Sequence, residues 1–142
     1  MPKFIKFFVF FLVAFLFFNG QIFALSGSSD DEKIPIPSKD FSVQITDAKN
    51  IQTAANRVTW NGKIFVTAKR GDSEITIPFE KIKSINLFLD KILEDGFIPA
   101  NVALHNGTLI EVLLDSRGKC YGETEFGTFK LYVRNLLKVD FN

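Results

Sequence analysis

The sequence has 142 residues, a single-domain length, with 17 basic side chains against 16 acidic ones and a formal net charge of +1. That balance excludes the strong positive field by which a protein steers itself to nucleic acid. A single cysteine, Cys120, excludes an intrachain disulfide, and about 100 ordered residues can bury a core without one.

The chain opens with an export signature. Lys3 and Lys6 supply a positive n-region, and Phe7 to Phe18 is an unbroken apolar run of 12 residues, within the roughly 7–15 of a signal h-region. Nine of the 17 Phe fall in the first 24 residues. Asn19-Gly20 breaks the helix, and Ile22-Phe23-Ala24 offers a small residue at the cut. Residues 1–24 therefore read as a cleavable secretory signal. The rival is an uncleaved membrane anchor over residues 4–25, and 12 apolar residues fall short of the roughly 18–20 that cross a bilayer. No cysteine stands near residue 24 to carry a lipid. Without Lys3 and Lys6 the chain holds 15 basic against 16 acidic side chains. The reading is an exported protein, periplasmic or extracellular, and the lone cysteine fits a bacterial envelope better than a disulfide scaffold.

Residues 25–39 form a disordered linker. Ser, Gly and the acids Asp30, Asp31 and Glu32 favour solvation, and Pro35 and Pro37 forbid a regular ladder. A single β domain over residues 40–142 follows. Phe41, Val43 and Ile45 alternate with polar neighbours, giving a half-buried strand. Arg57 to Trp60 and Lys63 to Ala68 flank Asn61-Gly62, the strongest short hairpin signal. Lys69 to Ser73 makes the next turn, and Glu74 to Phe79 the next strand.

An internal echo is the most informative feature. Residues 74–87 and 128–141 align without gaps, pairing Ile75/Phe129, Ile77/Leu131, Phe79/Val133, Ile82/Leu136, Ile85/Val139 and Leu87/Phe141. The apolar spacing steps from two to three and back to two, as a strand, a tight turn and a strand would give. A second Asn-Gly at Asn106-Gly107 stands upstream of the second copy, which places nine extra residues within 115–127. A duplicated β unit would produce this echo; chance alignment of apolar positions is the alternative. Between the copies, Ile82, Ile85, Leu89, Ile92 and Leu93 also fit a helical stripe, so one short helix over about Leu87 to Glu94 is expected between the halves.

The expected fold is mainly β, a small barrel or β-sandwich of about seven or eight short strands. Phe126-Gly127-Thr128-Phe129 leads into an alternating strand, and in this outline the chain resembles small SH3-like or Sm-like barrels. The resemblance is to architecture and implies no site or activity.

The chemistry-bearing residues are sparse. His105 is the only histidine, beside a turn, and one His with one Cys makes neither a zinc site nor a nucleophile pair. Cys120 reads as a buried small hydrophobe. Glu123 and Glu125 share a strand face and could hold a cation or a catalytic water, though such spacing more often marks a wet face. No catalytic, metal or cofactor motif is present. The Asn106-Gly107-Thr108 sequon is explained by its turn. Trp60 shares a face with Val58 and belongs in the core, whereas Tyr121 faces outward. The candidate interaction patch is Tyr121, Lys130, Tyr132 and Arg134. The expected function is a non-enzymatic binding or scaffold module of the bacterial envelope, with an envelope protein or small ligand as partner. Contact with the membrane is expected only through an uncleaved N-terminal segment. The alternatives are an exported inhibitor or peptide- or sugar-binding protein, and a minimal hydrolase at Glu123 and Glu125.

Overall fold

The computed structural model describes residues 33–142; the signal segment and most of the linker expected from the sequence lie outside the described residues. Period-two alternation becomes ten strands. They are β1 (Val43–Asp47), β2 (Gln52–Trp60), β3 (Phe65–Arg70), β4 (Ser73–Pro78), β5 (Ile82–Leu87), β6 (Phe97–Leu104), β7 (Leu109–Asp115), β8 (Lys119–Thr124), β9 (Gly127–Tyr132) and β10 (Leu136–Phe141). All pair antiparallel in one curled, half-barrel sheet of order β4-β3-β7-β6-β5-β10-β1-β2-β8-β9. The alternation expected of a β protein is therefore present, with ten strands in place of seven or eight. The excess lies in residues 97–115, to which the alternation assigns no strand and which fold back on themselves as the β6–β7 hairpin.

Helix is almost absent. The apolar stripe from Ile82 to Leu93 is not an α-helix; only Leu89–Lys91 forms a single 3₁₀ turn between β5 and β6. The triplet spacing that suggested a helix has another cause. Ile82 and Ile85 are both buried three positions apart because the β5–β6 register slips between Ile82 and Ser84, and a slip of one residue turns the next side chain to the other face.

The echo of residues 74–87 in 128–141 is a repeated backbone. β3, β4 and β5 begin at residues 65, 73 and 82; β8, β9 and β10 begin at 119, 127 and 136, each 54 further on. A 3₁₀ turn stands before the last strand of both sets, at Phe79–Lys81 and Val133–Asn135. Each is tied down alike, with Phe79 N–H donating to Ile64 O at 3.0 Å and Val133 N–H to Gly118 O at 2.9 Å. The preceding hairpins match too. Val43 pairs with Ala55 and Phe141, and 57 residues later Ala100 pairs with Val112 and Leu87. The strand order is correspondingly palindromic: exchanging β1–β5 with β6–β10 and reversing the order restores it.

Two details of the sequence reading are corrected by this correspondence. Asn61 and Gly62 do take positive φ, 52° and 80°, but their turn joins β2 to β3 through one isolated bridge, Trp60 to Lys63. β2 pairs instead with β1 and β8, and β3 with β4 and β7. Nor does Asn106-Gly107 match Asn61-Gly62. It closes the β6–β7 hairpin, with Leu104 N–H donating to Thr108 O at 2.8 Å, as Asp47 N–H donates to Ile51 O at 3.0 Å in the β1–β2 hairpin. The nine extra residues do not exist; β3 to β5 and β8 to β10 are of equal length.

The apolar rows converge on one core. Val43, Ile45, Val66, Ile82, Ile85, Ile98, Val102, Leu114, Val133 and Leu136 are all fully buried. Phe79 sits among them, edge-on to Phe41 with ring centroids 5.4 Å apart and tilted against Phe141 at 5.0 Å. Trp60 is buried with Val58, as expected, but Thr59 between them is buried too, so the end of β2 is covered on both faces.

Candidate functional site

β8 and β9 form a hairpin whose register is set by its alternation. Cys120 and Gly122 face the core, so Lys119, Tyr121 and Glu123 face outward. Across the ladder Lys119 pairs with Tyr132, Tyr121 with Lys130 and Glu123 with Thr128, which puts all six on one face. The 3₁₀ turn after β9 then brings Arg134 back over the same ring.

The result is a tyrosine ringed by cations. The Arg134 guanidinium lies 4.2 Å from the centroid of Tyr132, Lys119 Nζ 5.3 Å and Lys130 Nζ 5.6 Å. All are within the roughly 6 Å over which a ring quadrupole attracts a cation. Of the patch expected from sequence, Lys130, Tyr132 and Arg134 meet on one ring, and Tyr121 stands beside them as a half-buried neighbour of Lys130. Lys119 was missed, although it stands two positions before Tyr121 and so on the same face.

The other half of the sheet provides an internal comparison. Fifty-four residues earlier, on matching strands, Tyr132 is replaced by Pro78, Lys130 by Thr76, Arg134 by Glu80, Lys119 by Phe65 and Tyr121 by Thr67. The same backbone is thus built with none of these residues. The shared backbone therefore does not require the cation-ringed tyrosine.

The remaining candidates are placed as follows. Glu123 lies 3.8 Å from Arg57 across the β2–β8 ladder, while Glu125 stands on the exposed β8–β9 turn. His105 is an exposed turn residue whose N–H donates to Lys81 O. Cys120 is buried, and burial pushes its thiol far up from its ordinary value, so the sulfur stays protonated. Asp115 is held below the usual carboxylate range, chiefly by its side-chain hydrogen bonds with Arg117, whose Nε and Nη2 donate at 3.0 and 2.8 Å. Among the described residues, no three His, Cys, Asp or Glu side chains gather into a metal-binding group.

Residues 37–142 match the model of a protein family described as "Uncharacterised protein". A comparison with curated proteins finds no match.

Proposed function

The chain belongs to the family matched over residues 37–142, and from that premise we propose that it is an exported, non-enzymatic binding module of the bacterial envelope. In this reading it holds an acidic partner protein on the outer face of β8 and β9. One observation carries the proposal: three cations converge on Tyr132 in one half of the sheet, and the matched strands of the other half have Pro, Thr and Glu there. A tyrosine offers broad apolar contact at low entropic cost, and the surrounding Lys and Arg select for carboxylates. The apolar leader supports an address outside the cytoplasm. The two five-strand sets, β10-β1-β2-β8-β9 and β5-β6-β7-β3-β4, each with a 3₁₀ turn leading into its first-named strand, support reading the fold as two SH3-like barrels grown from a duplicated unit that exchange strands.

The test is affinity capture from an envelope extract, comparing the unaltered protein with a Tyr132→Ala/Arg134→Glu variant. Loss of two hot-spot side chains of these types costs at least tenfold in affinity, so the retained partner should fall to background. An identical retained set from both proteins rejects the face.

The alternative of an acidic sugar ligand rests on the same ring, since an aromatic face flanked by cations also suits a uronate. Direct titration with oligogalacturonate separates it from the protein-partner reading.

A further inference from the structure

The β8–β9 turn carries a second feature that the Tyr132 face does not use. Phe126 is 88% exposed, the most exposed large apolar side chain among the described residues. It sits next to Glu125, two residues beyond Thr124, whose hydroxyl donates to Gly127 O and accepts from Phe126 N–H. The turn is therefore held in one shape with its phenyl ring exposed at the rim of a polar groove of its own chain.

At the other end of the sheet is a groove of about 380 Å³ between the β3–β4 turn and the β6–β7 hairpin. Phe88, Pro99, Val112 and Leu113 give it an apolar lining, and Lys69, Arg70 and Lys91 supply cations against the single acid Glu111. Lys69 and Lys91 are fixed over aromatic rings, 4.3 Å from Phe97 and 5.4 Å from Phe88. The volume falls within the roughly 300–1,000 Å³ of ligand pockets, so it can take a phenyl side chain with part of its turn.

The matched groove in the other half has the opposite character. There Lys69, Arg70, Gly71 and Asp72 are replaced by Glu123, Thr124, Glu125 and Phe126 on the equivalent turn, and the lining is Gln44, Gln52, Thr53, Ala54 and Asn56 with that turn. One half thus presents an acidic, phenyl-tipped turn, and the other a cationic, apolar groove.

We propose that these two features dock in trans: Phe126 of one copy enters the Lys69–Arg70–Lys91 groove of a second copy, with Glu125 facing the cations. The occupant is a second copy because the chain itself supplies both complementary charges and a ring left 88% exposed. The contact uses two different patches, so it is heterologous and leaves a free turn at one end and a free groove at the other, which generates chains or rings. Such an assembly would array the Tyr132 faces for multivalent capture, although the docking itself does not depend on their having a partner.

The experiment co-expresses two differently tagged full-length chains in a bacterial host, one with Thr128→Cys beside the Phe126 turn and the other with Asp72→Cys beside the groove, and treats the cells with a short bismaleimide. Native Cys120 is buried and does not compete. The expected result is a cross-linked pair at least fivefold more abundant than that of Thr128→Cys with a Lys63→Cys control. Adding Phe126→Ala to the first chain should lower the product to the control level; adding Glu125→Lys instead should reduce it, and Arg70→Glu in the second should then restore it. These positions are exposed, so the variants fold. Equal yields from Asp72→Cys and the control, or a yield unchanged by Phe126→Ala, overturn the proposal. So does cross-linking of Asp72→Cys to other envelope proteins alone, which would show that the groove serves a different partner. Loss of capture by the Tyr132→Ala/Arg134→Glu variant with cross-linking intact separates the two sites.

Discussion

Gly118 shows how closely single atoms are accommodated where the strands cross. A Cβ added there would lie 2.9 Å from Val133 Cγ2 and 3.2 Å from Asp115 O, and Val133 is fully buried in the core. Neither neighbour is the free end of a flexible side chain, so Gly118→Ala forces the second 3₁₀ turn away from β8. Overpacking of this kind costs about 1–3 kcal/mol, and urea denaturation of the variant should show a midpoint lowered to match, with an unchanged slope. An unaltered midpoint would mean that the turn is free to move. The matched residue, Ile64, holds the same backbone acceptor for Phe79 N–H yet carries a large side chain. The two halves therefore share a hydrogen bond but not a packing solution.

At the scale of elements, the connection between β2 and β3 does more than reverse the chain. Asn61 takes φ 52°, its N–H donates to Lys119 O at 2.8 Å, and its Oδ1 accepts from Lys119 N–H at 2.8 Å. The turn thereby pins the start of β8, a strand 58 residues away in sequence. Asn61→Ala removes that acceptor and places a Cβ-bearing residue poorly suited to left-handed backbone in the turn, so a loss of about 1–2 kcal/mol is expected. A thermal melt lowered by several degrees would record it, with Asn61→Gly losing less because the backbone conformation is kept. This pinning was not legible in the sequence. Asn-Gly announces positive φ locally, but it carries no information about which strands will lie side by side, and here the flanking strands scarcely pair. The echo was legible because each copy of strand, turn and strand writes its own spacing into the apolar positions. The first three-residue step, Phe79 to Ile82, is the 3₁₀ turn; the second, Ile82 to Ile85, is the register slip. A slip and a helical turn leave the same mark on the spacing, which is why the helix expected over residues 87–94 shrank to one turn. The Tyr132 ring was partly legible, since alternation assigns Lys130 and Tyr132 to one face. Arg134 reaches the ring only because the chain turns after Tyr132, and Lys119 only because the ladder sets it opposite.

For the molecule as a whole, the decisive fact is that neither half closes a sheet by itself. β1 and β2 lie between β10 and β8, and β6 and β7 between β5 and β3, so each five-strand set draws strands from both halves of the chain. Cutting the chain in the exposed stretch 92–95 should give two fragments that are each unfolded alone, because their hairpins would expose apolar faces and unpaired edges. Mixed at equal concentration, they should recover the β-sheet circular dichroism of the intact protein. A fragment that gives a dispersed, cooperative spectrum by itself as a monomer would contradict the interlocked arrangement. Most of these pairings span long sequence separations, so refolding is expected on the slow, millisecond-to-second side for a chain of this length.

The ladder between β1 and β10 sets Val43 directly across from Phe141. The first and last strands are therefore neighbours inside the sheet, flanked by β2 and β5, while the chain ahead of β1 runs back to Pro35 beside the Gly62 turn. A circularly permuted version that joins Asn142 to Lys33 through a flexible linker and reopens at Glu94 should preserve every rung of the sheet.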